Sequence, residues 1–279
     1  EVLYPNPGFP IYESMINFAG GIPVPLKLEE KLNYNFDINK LEKLITDKTK
    51  LIIINSPNNP CGSAINQESM HQISKILEDK NITILSDEIY SQFLYEGSHE
   101  SISNYAKLKE KIIILDGFSK SYSMTGWRIG YGIFPKSLVD PITKLVTNSN
   151  SCTASFTQIA AIEALKGSQE SVKLMVDEFK SRRDLIVEGL NTIKNINCPS
   201  PDGAFYVFPN VSKTGISSKE FADRLLYENG VATLSGESFG AEGKGYIRIS
   251  FANSKQNIVE ALNRIELFTK KLWLIWLKI

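Results

Sequence analysis

Cysteine and histidine are scarce in this chain of 279 residues. The three cysteines, Cys61, Cys152 and Cys198, lie far apart with no CxxC pair. An odd, scattered set argues against a disulfide framework and against a zinc site. Two histidines, His71 and His99, are too few for a histidine-rich metal centre. No metal is expected, and reduced thiols point to the cytoplasm. There is no excess of either charge: 31 basic residues balance 31 acidic ones. A nucleic-acid-binding chain usually carries a basic surplus, so nucleic acid is not an expected partner. No signal-peptide pattern is visible. The one apolar tail, "KKLWLIWLKI" (270–279), is well short of the roughly 20 residues a bilayer requires. It is expected to be a helix end rather than a membrane anchor. Repeats and low-complexity segments are absent as well.

What is present is ordinary globular material, 42% hydrophobic and 22% charged. The length suits one large domain or two modest ones. "LIIINSP" (51–57), "ITILSD" (82–87) and "KIIILDGFSK" (111–120) are continuous apolar runs with β-rich composition. Between the first two, apolar residues at helical spacing predict a helix over 66–79. Such an alternation indicates an α/β fold, with a mostly parallel sheet sandwiched by helices. Helices are expected over 158–166 and 168–194. Beyond Asn197 the pattern shifts to short strands at 203–209, 230–236 and 245–252, with helices over about 217–229 and 254–271. A smaller C-terminal α+β domain follows from this. The expected division is 1–185 for the large domain and 186–279 for the small one.

Ligands of parallel sheets sit beyond the carboxyl ends of the strands. The polar residues after each strand are therefore the candidates. Lys120 follows the third strand; a partly desolvated lysine there can act as a nucleophilic amine, although most lysines are surface charges. Arg128 lies in a glycine-rich loop, where a planar fork suits a phosphate, although a surface ion pair is its plainer role. Asp87 ends the second strand. It can cap a helix, or favour the protonated form of a cationic ring nitrogen. Tyr90 can be a core aromatic with a wet hydroxyl. Asn59, in the turn "SPNNPCG", can aim an amide into the cleft or merely close a tight connection. A lysine able to form a Schiff base, an arginine for phosphate, an aspartate for a pyridinium nitrogen, and an asparagine and tyrosine for a phenolic oxygen together describe pyridoxal 5'-phosphate.

The same motifs resemble the class I and II pyridoxal-phosphate-dependent aminotransferases, of the aspartate aminotransferase type. "NSPNNPCG" is similar to the family's N-P-x-N-P-T-G, with Cys61 in place of threonine. "SDEIY" (86–90) and "SKSYSMTGWRIGY" (119–131) match family motifs without a gap. The resemblance implies that Lys120 bonds the cofactor and that Arg128 holds its phosphate. It further implies that Asp87 pairs with the ring nitrogen and that Tyr90 and Asn59 contact the phenolic oxygen. Within "PNPGFPIY", Phe9 falls where an aromatic stacks on the ring. Within "YIRISFA", Arg248 falls where an arginine grips the substrate carboxylate. Gly117 stands where some relatives have a phosphate-binding serine, and many have glycine.

The implied activity moves an amino group from an L-amino acid to a 2-oxo acid by ping-pong kinetics, in a homodimer with shared active sites. Aspartate with 2-oxoglutarate is the family default, although residues 147–158 show no arginine for a second carboxylate. Two alternatives stand beside it. One is a β-lyase on the same scaffold, and the other is a non-catalytic, ligand-sensing relative. A chain that opens at Glu1 on "EVLYPNPGFPIY" is expected to be a fragment lacking the family's N-terminal segment.

Overall fold

A computed structural model describes residues 1–276, with side chains through residue 273. Its main sheet has seven strands in the order β3-β2-β1-β4-β5-β6-β7. In chain order these are β1 (Val2–Asn6), β2 (Pro23–Glu29), β3 (Asn35–Phe36), β4 (Leu51–Asn55), β5 (Thr83–Asp87), β6 (Ile112–Gly117) and β7 (Gly130–Ile133). β2, β1, β4, β5 and β6 run parallel. The edge strands β3 and β7 are antiparallel to their neighbours, so the expected parallel sheet is closed by one reversed strand at each edge. The order turns back between β1 and β4: the chain goes outward through β2 and β3, then returns to the other side of β1. The crevice of an α/β sheet opens at such a switch point.

Alternation within β4 shows why these runs are strands. Ile52 and Ile54 join a core with Met70 and Ile73 of α3 (Gln67–Leu77). Ile53 points to the other face, against Tyr12 and Ile16 of α1 (Ile11–Phe18). A strand covered on both faces is apolar throughout, as β4 is. α2 (Ile38–Leu44) contributes Leu41 to the α3 side. The start of α3 is fixed by Asn66, whose side chain accepts from Ser69 N at 2.8 Å.

α4 (Lys136–Ser149), α5 (Ser155–Lys166) and the long α6 (Glu170–Thr192) follow the sheet. The first half of α6 lays Met175, Val176 and Phe179 against Tyr90 and Phe93, and its second half places Ile186 and Leu190 in another core. That second core belongs to a three-stranded antiparallel sheet, β8 (Tyr206–Val207), β9 (Leu234–Ser235) and β10 (Ile247–Ser250), ordered β8-β10-β9. α7 (Ser218–Asn229) and α8 (Lys255–Trp276) cover it. α7 is bounded as its ends predict, by the Ser217 hydroxyl accepting from Glu220 N and by Gly230 at φ 67°. The expected helix end at the C-terminal tail is met as far as Trp276; the rest of that expectation lies outside the described residues.

Glu30 ties the two sheets together. Its carboxylate accepts from Asn210 Nδ2 and Tyr246 Oη, both at 2.8 Å, and from Asn197 Nδ2. The Tyr34 hydroxyl adds a bond to the Phe208 carbonyl at 2.8 Å.

Candidate active site

Four strand ends of the main sheet and two strands of the second converge on a cavity of about 420 Å³. Phe9 follows β1, Asn59 follows β4, Asp87 ends β5 and Lys120 follows β6; Tyr90 lies one turn beyond Asp87. Arg248 arrives from β10. Ile247 and Ile249 on either side are buried in the second core, so the two-residue period of a strand turns Arg248 the opposite way.

Lys120 is half-buried. Its amine lies 5.9 Å from the Tyr90 ring centre and 5.8 Å from that of Phe205. Burial lowers its pKa, repulsion from Arg128 and Arg248 lowers it further, and Asp87 opposes them. Each of the first two effects favours the neutral, nucleophilic amine. Asp87 is the counterpart. Burial raises its pKa, while the hydrogen bond from the Tyr12 hydroxyl at 2.6 Å holds it down. Its other oxygen accepts from Ile89 N at 3.3 Å, the turn-capping role that an aspartate at a strand end often takes. Behind it, buried Glu88 accepts from Ser86, Ser101 and His99. Burial pulls the Glu88 pKa upward, but the bonds from His99 and Ser101 outweigh it and hold it below the usual range.

Arg248 donates to Asn59 Oδ1 at 2.9 Å. Its guanidinium lies between two rings, 4.4 Å from the centre of Tyr206 and 4.6 Å from that of Phe239. Phe9 stands at the rim, 42% exposed, its ring edge-on to Tyr12. Arg128 is set apart. It takes the left-handed conformation at φ 53° and donates to the Thr125 carbonyl at 2.9 Å. It lines a neighbouring cavity with Trp127, Asn150 and Thr153. Six of the seven predicted residues therefore share one cavity, and Arg128 stands beside it.

Three further residues of the cavity escape a reading of the sequence. Asn55 is the last residue of β4. Its amide donates to the Asp87 carbonyl at 3.1 Å and its oxygen accepts from Asn59 N at 3.0 Å, so it shapes the turn that carries Asn59. Its place ahead of "SPNNPCG" was the available signal. Tyr12 and Tyr206 sit in "PNPGFPIY" and "GAFYVFP", where each passes for a core aromatic until its hydroxyl partner is seen. Among the described residues there is no group of three or more His, Cys, Asp or Glu placed to hold a metal. No described helix is long and apolar enough to cross a membrane. All three cysteines are free thiols.

The family model described as "Aminotransferase class I and II" matches residues 1–265. The chain belongs to the class I and II aminotransferases. It is 42% identical to an aspartate aminotransferase of Pyrococcus horikoshii, over 95% of this chain and 68% of that protein. The solved structure of an aromatic aminotransferase from the same organism superposes with a TM-score of 0.94 at 36% identity, covering 97% of this chain and 73% of the other. An aspartate aminotransferase from Rhizobium meliloti gives 0.91 at 31% identity, over 96% of this chain and 70% of that one. This aminotransferase is a transaminase that depends on pyridoxal phosphate and acts on amino and keto acids. The cavity fits that group by its own chemistry. A lysine biased toward its neutral amine shares the cavity with a buried carboxylate that no cation among the described residues reaches within hydrogen-bond distance.

Proposed function

We propose that the seven residues divide the work as follows. Lys120 bonds the cofactor covalently, Asp87 meets its ring nitrogen, and Tyr90 and Asn59 meet its phenolic oxygen. Phe9 covers the ring, and Arg128 holds the phosphate from the adjoining cavity. Bound there, pyridoxal phosphate supplies a sink for the electron pair left on Cα when its proton departs. The chain's own residues do the rest. Arg248 binds the α-carboxylate with its planar fork and so orients the Cα–H bond. The Lys120 amine, its basicity lowered by burial and by Arg128 and Arg248, takes that proton and returns it once the donor's own amino group has replaced it on the cofactor. Asp87, ionised, favours a protonated ring nitrogen. The aromatic walls Tyr90, Phe205 and Tyr206 limit water around Lys120.

The observation that carries this reading is the convergence of Lys120, Asp87 and Arg248 on one cavity. L-Aspartate as donor is supported by relatives named aspartate aminotransferase at 42% and 43% identity, and 2-oxoglutarate as acceptor is the family default. We also read the chain as cytoplasmic, dimeric in its working form, and divided into two lobes within α6, at about residue 185. The test is an absorbance spectrum with pyridoxal phosphate for the wild type and for Lys120→Ala, then with aspartate, alanine or phenylalanine added. A lysine-dependent band in the wild type that aspartate bleaches first is the expected result. A band that survives Lys120→Ala, or that no amino acid bleaches, overturns the assignment.

A further inference from the structure

Tyr206 enters the reading above only as part of the aromatic wall around Lys120, yet it touches both halves of the site. Its residue is 7% exposed. It belongs to β8, where Val207 fills the second core and Tyr206 turns the other way, into the cavity. Its hydroxyl lies 3.0 Å from that of Tyr90, which comes from the main sheet. Its ring carries the Arg248 guanidinium at 4.4 Å. Arg248 in turn donates to Asn59 at 2.9 Å. One side chain thus joins the phenol assigned to the cofactor with the cation assigned to the substrate. It does so across the seam between the two sheets.

We propose that Tyr206 is a positioning residue with two separable parts, a hydroxyl that orients the Tyr90 proton toward the cofactor and a ring that holds Arg248 for the substrate carboxylate. The proposal rests on the functional reading above. Either hydroxyl of the Tyr90–Tyr206 pair can donate. A cation over the Tyr206 ring draws electron density from the phenol and strengthens its O–H as a donor. Tyr206 then donates, Tyr90 accepts, and the single proton of Tyr90 is free to point into the cavity. The ring does a different job. A guanidinium stacked on an aromatic face keeps its plane fixed while its edge stays open for a carboxylate.

The two parts are separated by Tyr206→Phe and Tyr206→Leu in the full chain, with Tyr90→Phe and the double phenylalanine variant as partners. The readouts are the absorbance maximum of bound pyridoxal phosphate, its Kd by fluorescence quenching, and the KM for the amino donor. In Tyr206→Phe the absorbance maximum is expected to move and the cofactor Kd to rise roughly three- to ten-fold, the scale of one hydrogen bond. The KM stays within about twofold, because the ring is kept. In Tyr206→Leu the same cofactor change is joined by a KM increase of roughly ten-fold. Adding Tyr206→Phe to Tyr90→Phe weakens the cofactor no further, since the hydroxyl acts only through Tyr90. The proposal is overturned if Tyr206→Phe leaves the absorbance and the Kd unmoved. An increase in KM as large for phenylalanine as for leucine, or an additive double variant, overturns it equally. If Tyr206→Leu does not fold, the phenylalanine variants decide. A wild type without a lysine-dependent band would instead strike the functional reading itself, and the two failures are distinct.

Discussion

Arg248 shows how much a single residue depends on its surroundings. Its charge is common; its setting between the Tyr206 and Phe239 rings is not. A lysine keeps the charge but loses the plane, the stacking and the paired donors. Arg248→Lys is therefore expected to raise the KM for the amino donor about ten- to hundred-fold, with a smaller change in kcat. Steady-state kinetics over a donor series checks it, and an unchanged KM would remove Arg248 from the carboxylate site. At this scale the sequence was informative. Lys120, Asp87, Asn59 and Arg248 stand in contiguous motifs with few chemical readings. Tyr12 and Tyr206 were not legible, because their partners lie far away in the chain, and Asn55 was signalled only by its place ahead of "SPNNPCG". Tyr206 meets Tyr90 across 116 positions, and Tyr12 meets Asp87 across 75.

Among the elements, β4, β5 and β6 were legible because burial on both faces demands unbroken apolar runs. β1 and β2 were not, since "VLYPN" and "PVPLKLE" carry prolines that read as loop. β7 is glycine-rich and exposed, and α4 contains Pro141 and buries no side chain, so neither prints a periodic core face. The C-terminal strands were expected to be longer than the two to four residues that form ladders. Their pattern is right, but short antiparallel partners end the pairing early. The connection between the two sheets is equally tight. A Cβ on Gly203 would lie 2.3 Å from the Phe93 carbonyl oxygen and 2.7 Å from Pro57 Cγ. Neither neighbour is a flexible side-chain tip. Gly203→Ala should cost about 1–3 kcal/mol by overpacking, read from denaturant or thermal melts. Because Pro57 opens the turn carrying Asn59, donor KM should rise as well. A variant of wild-type stability would show that the two sheets slide apart freely there.

For the molecule as a whole, the buried carboxylate is a stability question as much as a chemical one. Burial raises the Asp87 pKa in the folded chain above its unfolded value. The folded state then holds that proton more tightly than the unfolded one, so stability falls as pH rises from the ordinary aspartate range through the folded pKa. At neutral pH, without cofactor, Asp87→Asn should melt at a higher temperature than the wild type. The gap should close on acidification, as wild-type Asp87 takes up its proton. Added pyridoxal phosphate should reverse the order, because only the aspartate offers a charge to the ring nitrogen. Thermal melts at several pH values, with and without cofactor, check all three statements. A wild type more stable than Asp87→Asn without cofactor at neutral pH would mean that the carboxylate is already neutralised by the chain.

The bond between Arg248 and Asn59 spans 189 positions. On a ribosome, which delivers the chain from its N-terminal side, the strands that present Lys120 and Asp87 emerge well before β10. Each newly made copy therefore carries Lys120 through an interval in which Phe205, which walls it, and Arg248, which lowers its basicity, have not yet been made. Reactivity and selectivity therefore reach the site together, with the second sheet.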